Sequence, residues 1–154
     1  MKCKIIFGLI SLLSLGGCAA TAEKPLEPTD AITQYRADLA RANTSYQAKN
    51  YAQAQAQFLA LYQQNNSDTS VLFKLGNIYS HLQQFDKAIV AYQQLLSIKP
   101  NANKAWHNLA VAQTQQSIMT WQTLAQQLPS QDPLRKKAQY YHSKLQSIIN
   151  NQTP

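Results

Sequence analysis

Cysteine is almost absent from this sequence, and where it occurs excludes several kinds of structure. The chain has 154 residues and two cysteines, Cys3 and Cys18, both close to the N-terminus. The rest of the chain can therefore form neither a disulfide framework nor a cysteine-based metal site. It also offers no thiol nucleophile for covalent catalysis.

Glycine and acidic residues are scarce too, and this argues against an enzyme. After Gly17 the only glycine is Gly76, so there is no glycine-rich phosphate loop and no G-x-S-x-G motif. The seven acidic residues are spread along the chain in no pattern that would pair two carboxylates. The three histidines, His81, His107 and His142, form no H-x-x-x-H motif. We therefore predict a protein that is not an enzyme, with no catalytic residue, no metal site and no cofactor.

The start of the chain resembles a secretory signal peptide. Lys2 and Lys4 precede an apolar run over residues 5–15, which is too short to span a bilayer as a permanent helix. The run ends in L-G-G-C at residues 15–18, which resembles the lipobox of bacterial lipoproteins. The resemblance implies cleavage before Cys18 and acylation of Cys18, whose two or three acyl chains would give stable membrane attachment. The alternative is an ordinary signal peptide whose apolar run ends in cysteine.

The lipobox resemblance also implies segment boundaries and a location. Residues 1–17 would be the signal peptide, and residues 18–29, small and proline-containing without apolar period, a lipidated tether. Ala19, not aspartate, follows the lipidated cysteine. In the sorting pattern of this family, that residue favours the bacterial outer membrane, facing the periplasm.

Basic residues exceed acidic ones, but they are scattered. Without the signal, 12 basic and 7 acidic residues remain, a net charge of +5. The one basic run is R-K-K at residues 135–137. Nucleic-acid binding calls for a basic stripe with interleaved aromatic residues, so we predict no nucleic-acid partner. The run is either a solvated helix face or a contact for anionic lipid headgroups or an acidic partner.

Residues 69–102 carry the pattern that is most informative about the fold. Leu72, Leu75 and Tyr79 form an apolar stripe at helical spacing, and Gly76 is small where two helices would cross. After a turn at residues 83–84, a second helix would end before Pro100. Over all its 34 residues this segment resembles the tetratricopeptide repeat (TPR). The resemblance implies an all-α fold, a TPR helical-hairpin solenoid with a C-terminal capping helix.

The flanking segments match this pattern less completely. Residues 30–68 resemble a degenerate repeat, with Asp30 as N-cap and the polar Asp38 and Arg41 at apolar positions. Residues 103–128 begin a third repeat and then lack the turn, which predicts a half repeat with one extended helix. Asp132 and Pro133 should start a capping helix over residues 132–150. Its expected buried residues are Leu134, Ala138, Tyr141, Leu145 and Ile148 or Ile149. The alternative is a regular third repeat followed by a separate tail.

The TPR resemblance further implies a partner-binding groove along the first helices of the repeats. By the family pattern, the candidate lining residues are Asn43, Tyr46, Phe73, Asn77, Lys104 and His107. The two asparagines share one repeat position, where an amide can donate to and accept from the backbone of an extended peptide. Phe73 and Tyr46 offer aromatic contact. Alternatively, the asparagines bond neighbouring helices, and the last helix covers Phe73.

Together these patterns favour a binding protein. The predicted function is a lipid-anchored periplasmic adaptor that binds an envelope protein or peptide and assists assembly of a pilus, secretion or outer-membrane machine. One alternative is a self-assembling structural lipoprotein, a homo-oligomer that stacks through an exposed face around Trp121. Another is a peptidoglycan-associated envelope lipoprotein whose basic run at 135–137 touches anionic polymer.

Overall fold

A computed structural model describes residues 28–151, which form six α-helices and no strand. In chain order these are α1 (Pro28–Gln47), α2 (Tyr51–Gln64), α3 (Thr69–His81), α4 (Phe85–Ile98), α5 (Asn103–Gln127) and α6 (Pro133–Asn150). The predicted all-α fold is confirmed. The predicted signal peptide, the lipidation site Cys18 and nearly all of the tether lie outside the described residues.

The six helices pair into three hairpins that stack in chain order. α1 packs with α2, α3 with α4, and α5 with α6. Successive hairpins meet through α2 against α3 and α4 against α5, and α3 also touches α5. Each hairpin contacts only its neighbours, which is the architecture of a helical-hairpin solenoid.

The turns inside the first two hairpins have the same geometry, 34 residues apart. Lys49 and Gln83 both adopt a φ of 57°, in the left-handed region. A residue with a side chain enters that region at a cost, so its recurrence marks a specific turn. In both turns the next residue donates its N–H to a carbonyl five residues back, at 3.0 Å for Asn50 and 2.8 Å for Gln84. The repeat is therefore present in the backbone as well as in the side-chain pattern.

The core repeats with the same period. Equivalent positions of the first two hairpins are buried in pairs: Ala54 and Ala88, Phe58 and Tyr92, and Leu61 and Leu95. Gly76 lets α3 lie directly against Tyr92 of α4, because an added Cβ would overlap the ring of Tyr92. This close approach explains the small residue in the middle of a helix, where glycine would otherwise weaken the fold.

α5 is much longer than α3, with 25 residues against 13. The counterpart of Gln83 in the third unit is Ser117, which lies inside α5. Its hydroxyl donates to the carbonyl of Gln113 at 3.0 Å, one helical turn back. Thr114, Thr120 and Thr123 make the same type of bond. Since this polar stretch satisfies its side chains on its own backbone and has no turn signal, the helix continues.

α6 lies along the second half of α5. Asp132 caps it by accepting the N–H of Leu134 at 2.8 Å, and Pro133 is its first residue. Ala138 is fully buried, and the ring of Tyr141 lies 5.0 Å from that of Trp121, centroid to centroid. The face around Trp121, a candidate self-assembly surface, is thus half covered by this chain's own helix.

Some expectations about helix ends and faces are wrong. α1 begins at Pro28, so Asp30 lies in its first turn and does not cap it. Leu134 and Tyr141 are exposed, although the apolar stripe of α6 predicted their burial. The reason is that α6 packs mainly on one neighbour, α5, which covers only a narrow stripe of it. Of the alternatives Ile148 and Ile149, Ile149 is the one that is half-buried.

Candidate protein-binding groove

The structure gathers the predicted groove residues into two local groups on α1, α3 and α5. Phe73 of α3 and Lys104 of α5 line one cavity. Tyr46 of α1 lies near Asn77 of α3, whose side chain lowers the pKa of Tyr46 against the larger, raising effect of burial. The exposed His107 is three residues beyond Lys104 on α5. This spacing places both side chains on the same helix face.

The cavity beside Phe73 has a volume of about 500 Å³. Its apolar surface comes from the half-buried Phe73 and from Leu95, while Lys99 and Lys104 contribute positive charge. The N-terminus of α5 also borders it, and a helix N-terminus carries a partial positive charge. The Phe73 ring is held edge-on against Tyr92, with centroids 6.2 Å apart. The cavity, named here the Phe73 pocket, therefore suits an apolar side chain next to an acidic group.

Asn77 joins three helices. Its Oδ1 accepts the hydroxyl of Tyr92 at 2.7 Å and the Nδ2 of Asn108 at 2.9 Å. Burial raises the pKa of Tyr92, and the nearby side chains of Ser80 and Asn108 oppose that shift. The carboxamide oxygen of Asn77 is therefore engaged within the fold, between α3, α4 and α5.

Asn43 occupies the same repeat position but bonds differently. Its Nδ2 donates to the carbonyl of Leu39 at 2.9 Å, within α1. Asn43 engages only one of its two amide N–H groups, so it can still donate and accept. The oxygen of Asn77 accepts two bonds within the fold, so the expected pairing with an extended peptide is corrected for Asn77, which acts first as a structural bridge.

The surroundings of Tyr46 form an aromatic cluster at the other end of α3. Lys74 places its Nζ 4.2 Å from the centre of the Tyr46 ring, a cation–π contact. Tyr51, at the start of α2, stands edge-on to Tyr46 at 5.8 Å and stacks on His81 at 4.2 Å. The Tyr46 ring is therefore held by its neighbours, and only part of it remains available to a partner.

Sequence reasoning did not identify Lys74, Lys99 or Asn108 as members of the site. Lys74 and Asn108 lie one residue from predicted groove positions, and Lys99 lies in the loop after α4. Their roles depend on how α3, α4 and α5 pack together. The sequence signal was that Asn77, on a helix expected to pack against others, needs hydrogen-bond partners.

The part of the chain over residues 28–151 contains no group of three His, Cys, Asp or Glu side chains that could hold a metal ion. It also has no helix both long and apolar enough to cross a membrane.

Comparison with known families agrees with the fold. A family model described as "TPR repeat" matches residues 76–117, from the middle of α3 to the residue at which the third turn would fall. No curated protein matches the chain. The chain therefore contains TPR sequence in a TPR helical-hairpin solenoid. Repeats of this type are generally non-enzymatic scaffolds that bind protein partners through their stacked helices.

Proposed function

We propose that this chain is a lipid-anchored, periplasm-facing adaptor that binds a protein partner and assists assembly of an envelope complex, such as a pilus, secretion or outer-membrane machine. The L-G-G-C motif at Cys18 supports the membrane address. The TPR solenoid supports protein binding. The assembly role extends these two properties to the compartment in which they would operate.

The Phe73 pocket is the observation that carries the binding part of this proposal. It combines the apolar surface of Phe73 and Leu95 with two lysines, Lys99 and Lys104. Pockets that bind a peptide specifically have an apolar anchor site and a few polar groups that fix its orientation. We therefore propose a partner segment that inserts an apolar side chain beside Phe73 and sets a carboxylate near the lysines.

A pulldown from detergent-solubilised envelopes with the full-length lipidated protein tests this assignment. The groove variant combines Phe73→Ala with Lys104→Glu, and the matched control combines Phe85→Ala with Lys49→Glu. Phe85 is also half-buried and Lys49 is also exposed, but neither lines the Phe73 pocket. Asn77 stays unchanged because its replacement would disturb three helices.

The expected result is a partner that wild type and control recover and the groove variant loses. Recovery of the same proteins by all three forms would overturn the groove assignment. The proposed lipid anchor is tested separately with the Cys18→Ala variant. This variant should leave the membrane fraction, whereas wild type should sediment with outer membranes in a density gradient. A membrane-bound Cys18→Ala protein would refute lipidation as the anchor.

One observation favours a second candidate, the peptidoglycan-associated lipoprotein. Lys136, Lys137 and Lys144 are exposed on α6, which contains no acidic residue, and Tyr140 is exposed between them. Such a face can bind an anionic polymer through charges that salt screens. Co-sedimentation with purified sacculi should then fall steeply with ionic strength and vanish when the three lysines become glutamine. Binding that neither change affects would exclude this role.

A further inference from the structure

A second groove lies away from the Phe73 pocket, between α4 and the first half of α5. It has a volume of about 450 Å³. Its lining includes Gln93 and Leu96 from α4, and Trp106, Leu109, Ala110 and Gln113 from α5. Trp106 is half exposed there, although its Nε1 donates to the carbonyl of Pro100 at 2.9 Å.

The repeat period identifies this groove as the site of a missing helix. Five of its seven lining residues, moved back by 34, give positions that line the corresponding groove between α2 and α3: Leu59, Tyr62, Leu72, Leu75 and Tyr79. The remaining wall of that groove is formed by α4, through Lys87, Val90, Ala91 and Gln94. Among residues 28–151, no equivalent wall lines the groove beside α4 and α5. We call this groove the helix seat.

The exposure of equivalent residues shows what the missing helix leaves open. Leu72, beneath α4, is 1% exposed, whereas its counterpart Trp106 is 53% exposed. The helix that would cover Trp106 is absent because α5 continues through Ser117, where the third turn would fall. α6 does not replace it, since Tyr141 of α6 lies against Trp121 on the second half of α5, and no residue of α6 lines the helix seat.

We propose that the helix seat binds an amphipathic helix of a partner protein that carries acidic residues at its C-terminal end. α4 shows the required apolar stripe, since Ala88, Ala91 and Leu95 are buried where it packs on α3. In the second hairpin the Nε2 of Gln94, near the end of α4, donates to the carbonyl of Asn66. The counterpart of Asn66 is Pro100, so the bound helix would end beside Lys99.

Charge selects an acidic partner and argues against a second copy. The sequence has no acidic residue from Lys87 to Gln131, and only Asp132 from there to the end, while lysines and arginines continue throughout. Such a surface attracts anionic partners and repels the same surface of a second copy. α6 of another copy, which is cationic and has no acidic residue, is a poor occupant for the same reason. The proposal rests on the proposed function in taking a protein as ligand, but it concerns a different surface.

The probe can be built from this chain's own helix. It is a synthetic peptide with the sequence of residues 85–98 followed by three glutamates, stapled across its exposed face because short helices are marginal in water. The control peptide ends in three lysines. Trp106 reports binding in a Trp121→Phe background, because cover by the peptide should shift its emission to the blue.

Two substitutions and a matched control locate the binding. Ala110→Arg places a long charged side chain in the helix seat and should weaken binding by about tenfold or more, or about 1.4 kcal/mol. Gln116→Arg, exposed on α5 but outside the helix seat, should leave binding unchanged. Lys99→Glu should reverse the preference from the glutamate peptide to the lysine peptide. Because Lys99 also lines the Phe73 pocket, the two surfaces are separated by the other variants and not by this one. Circular dichroism verifies that all three variants are folded.

The outcomes distinguish binding at the helix seat from binding at the Phe73 pocket. If Trp106 emission does not respond to the glutamate peptide, or if Ala110→Arg binds it as wild type does, the proposal is overturned. A dimer in sedimentation velocity that Ala110→Arg dissociates would overturn it in favour of a second copy. Phe73→Ala with Lys104→Glu should still bind the peptide, and Ala110→Arg should still recover the partner of the Phe73 pocket. A negative result for one of these two surfaces therefore does not contradict the proposal for the other.

Discussion

Replacing Asn77 with alanine should destabilise the protein by about 2 kcal/mol, because its Oδ1 accepts hydrogen bonds from two other helices. Tyr92 is 1% exposed, and a buried donor left without its acceptor costs about 1–3 kcal/mol. Loss of the bond from Asn108 adds about 0.5–1.5 kcal/mol. Ser80 lies close enough to offer the Tyr92 hydroxyl another partner, and alanine favours the helix by about 0.5 kcal/mol. Both effects reduce the summed cost of the two lost hydrogen bonds to about 2 kcal/mol.

Urea unfolding followed by circular dichroism measures this loss, and a double-mutant cycle attributes it. Tyr92→Phe alone should cost about 1 kcal/mol by removing the donor. The double variant has no Tyr92 hydroxyl that could be left without an acceptor. Its loss in free energy of unfolding should therefore be smaller than the sum of the two single losses by about 0.5 kcal/mol or more. Additive losses would show that the two side chains are not coupled.

Asn43 provides the matched control, since it holds the same repeat position and bonds only within α1. Asn43→Ala should cost less than about 0.5 kcal/mol, because its donor bonds a carbonyl on a partly exposed helix. If Asn43→Ala is as destabilising as Asn77→Ala, the bridge between helices is not the cause and the reasoning is refuted.

Three further predictions concern packing, capping and pH. Gly76→Ala should lower the free energy of unfolding by about 1 kcal/mol, because overlap with the Tyr92 ring outweighs the gain in helix propensity; a stabilised variant in urea would contradict this. Asp68→Ala should cost about 2 kcal/mol in the same assay, since Asp68 caps α3 and accepts the hydroxyl of Tyr35 at 2.7 Å. A loss under about 0.5 kcal/mol would show that solvent replaces both contacts. Burial, together with the neighbouring carboxylate of Asp68, raises the pKa of Tyr35 to about 12. As the pH rises, the unfolded chain therefore loses the Tyr35 proton before the folded protein does. The free energy of unfolding should fall between about pH 10 and about pH 12 for this reason. Tyr35→Phe should flatten that fall in unfolding experiments across this range, and an unchanged slope would exclude Tyr35 as its source.

Local signals account for the part of the fold that the sequence predicted. α4 ends at Ile98, just before Lys99 and Pro100, because proline restricts the residue that precedes it. α6 starts after Asp132, whose carboxylate satisfies a backbone N–H of the first turn. The absence of a turn signal near Ser117 is likewise a local property, and α5 runs through it. Each of these features needs only residues within a few positions of one another.

The site was less predictable, because its contacts join residues far apart in the chain. Phe73 and Lys104 were both named from the repeat pattern, but Lys99 and Leu95 reach their cavity only through the packing of α4 between α3 and α5. The two asparagines at equivalent positions differ because Asn77 has Tyr92 and Asn108 beside it, whereas Asn43 bonds only within α1.

By itself, the sequence determined the helices, their order and the 34-residue period, since apolar spacing, caps and turn residues act locally. The tertiary structure alone decided which amide bridges three helices, where the lysines meet an apolar cavity, and on which face of α5 the last helix lies. A helix with an apolar stripe can pack against more than one neighbour, and the choice depends on shape across the whole stack. α6 packs on the second half of α5, and this placement leaves Trp106 and the helix seat open.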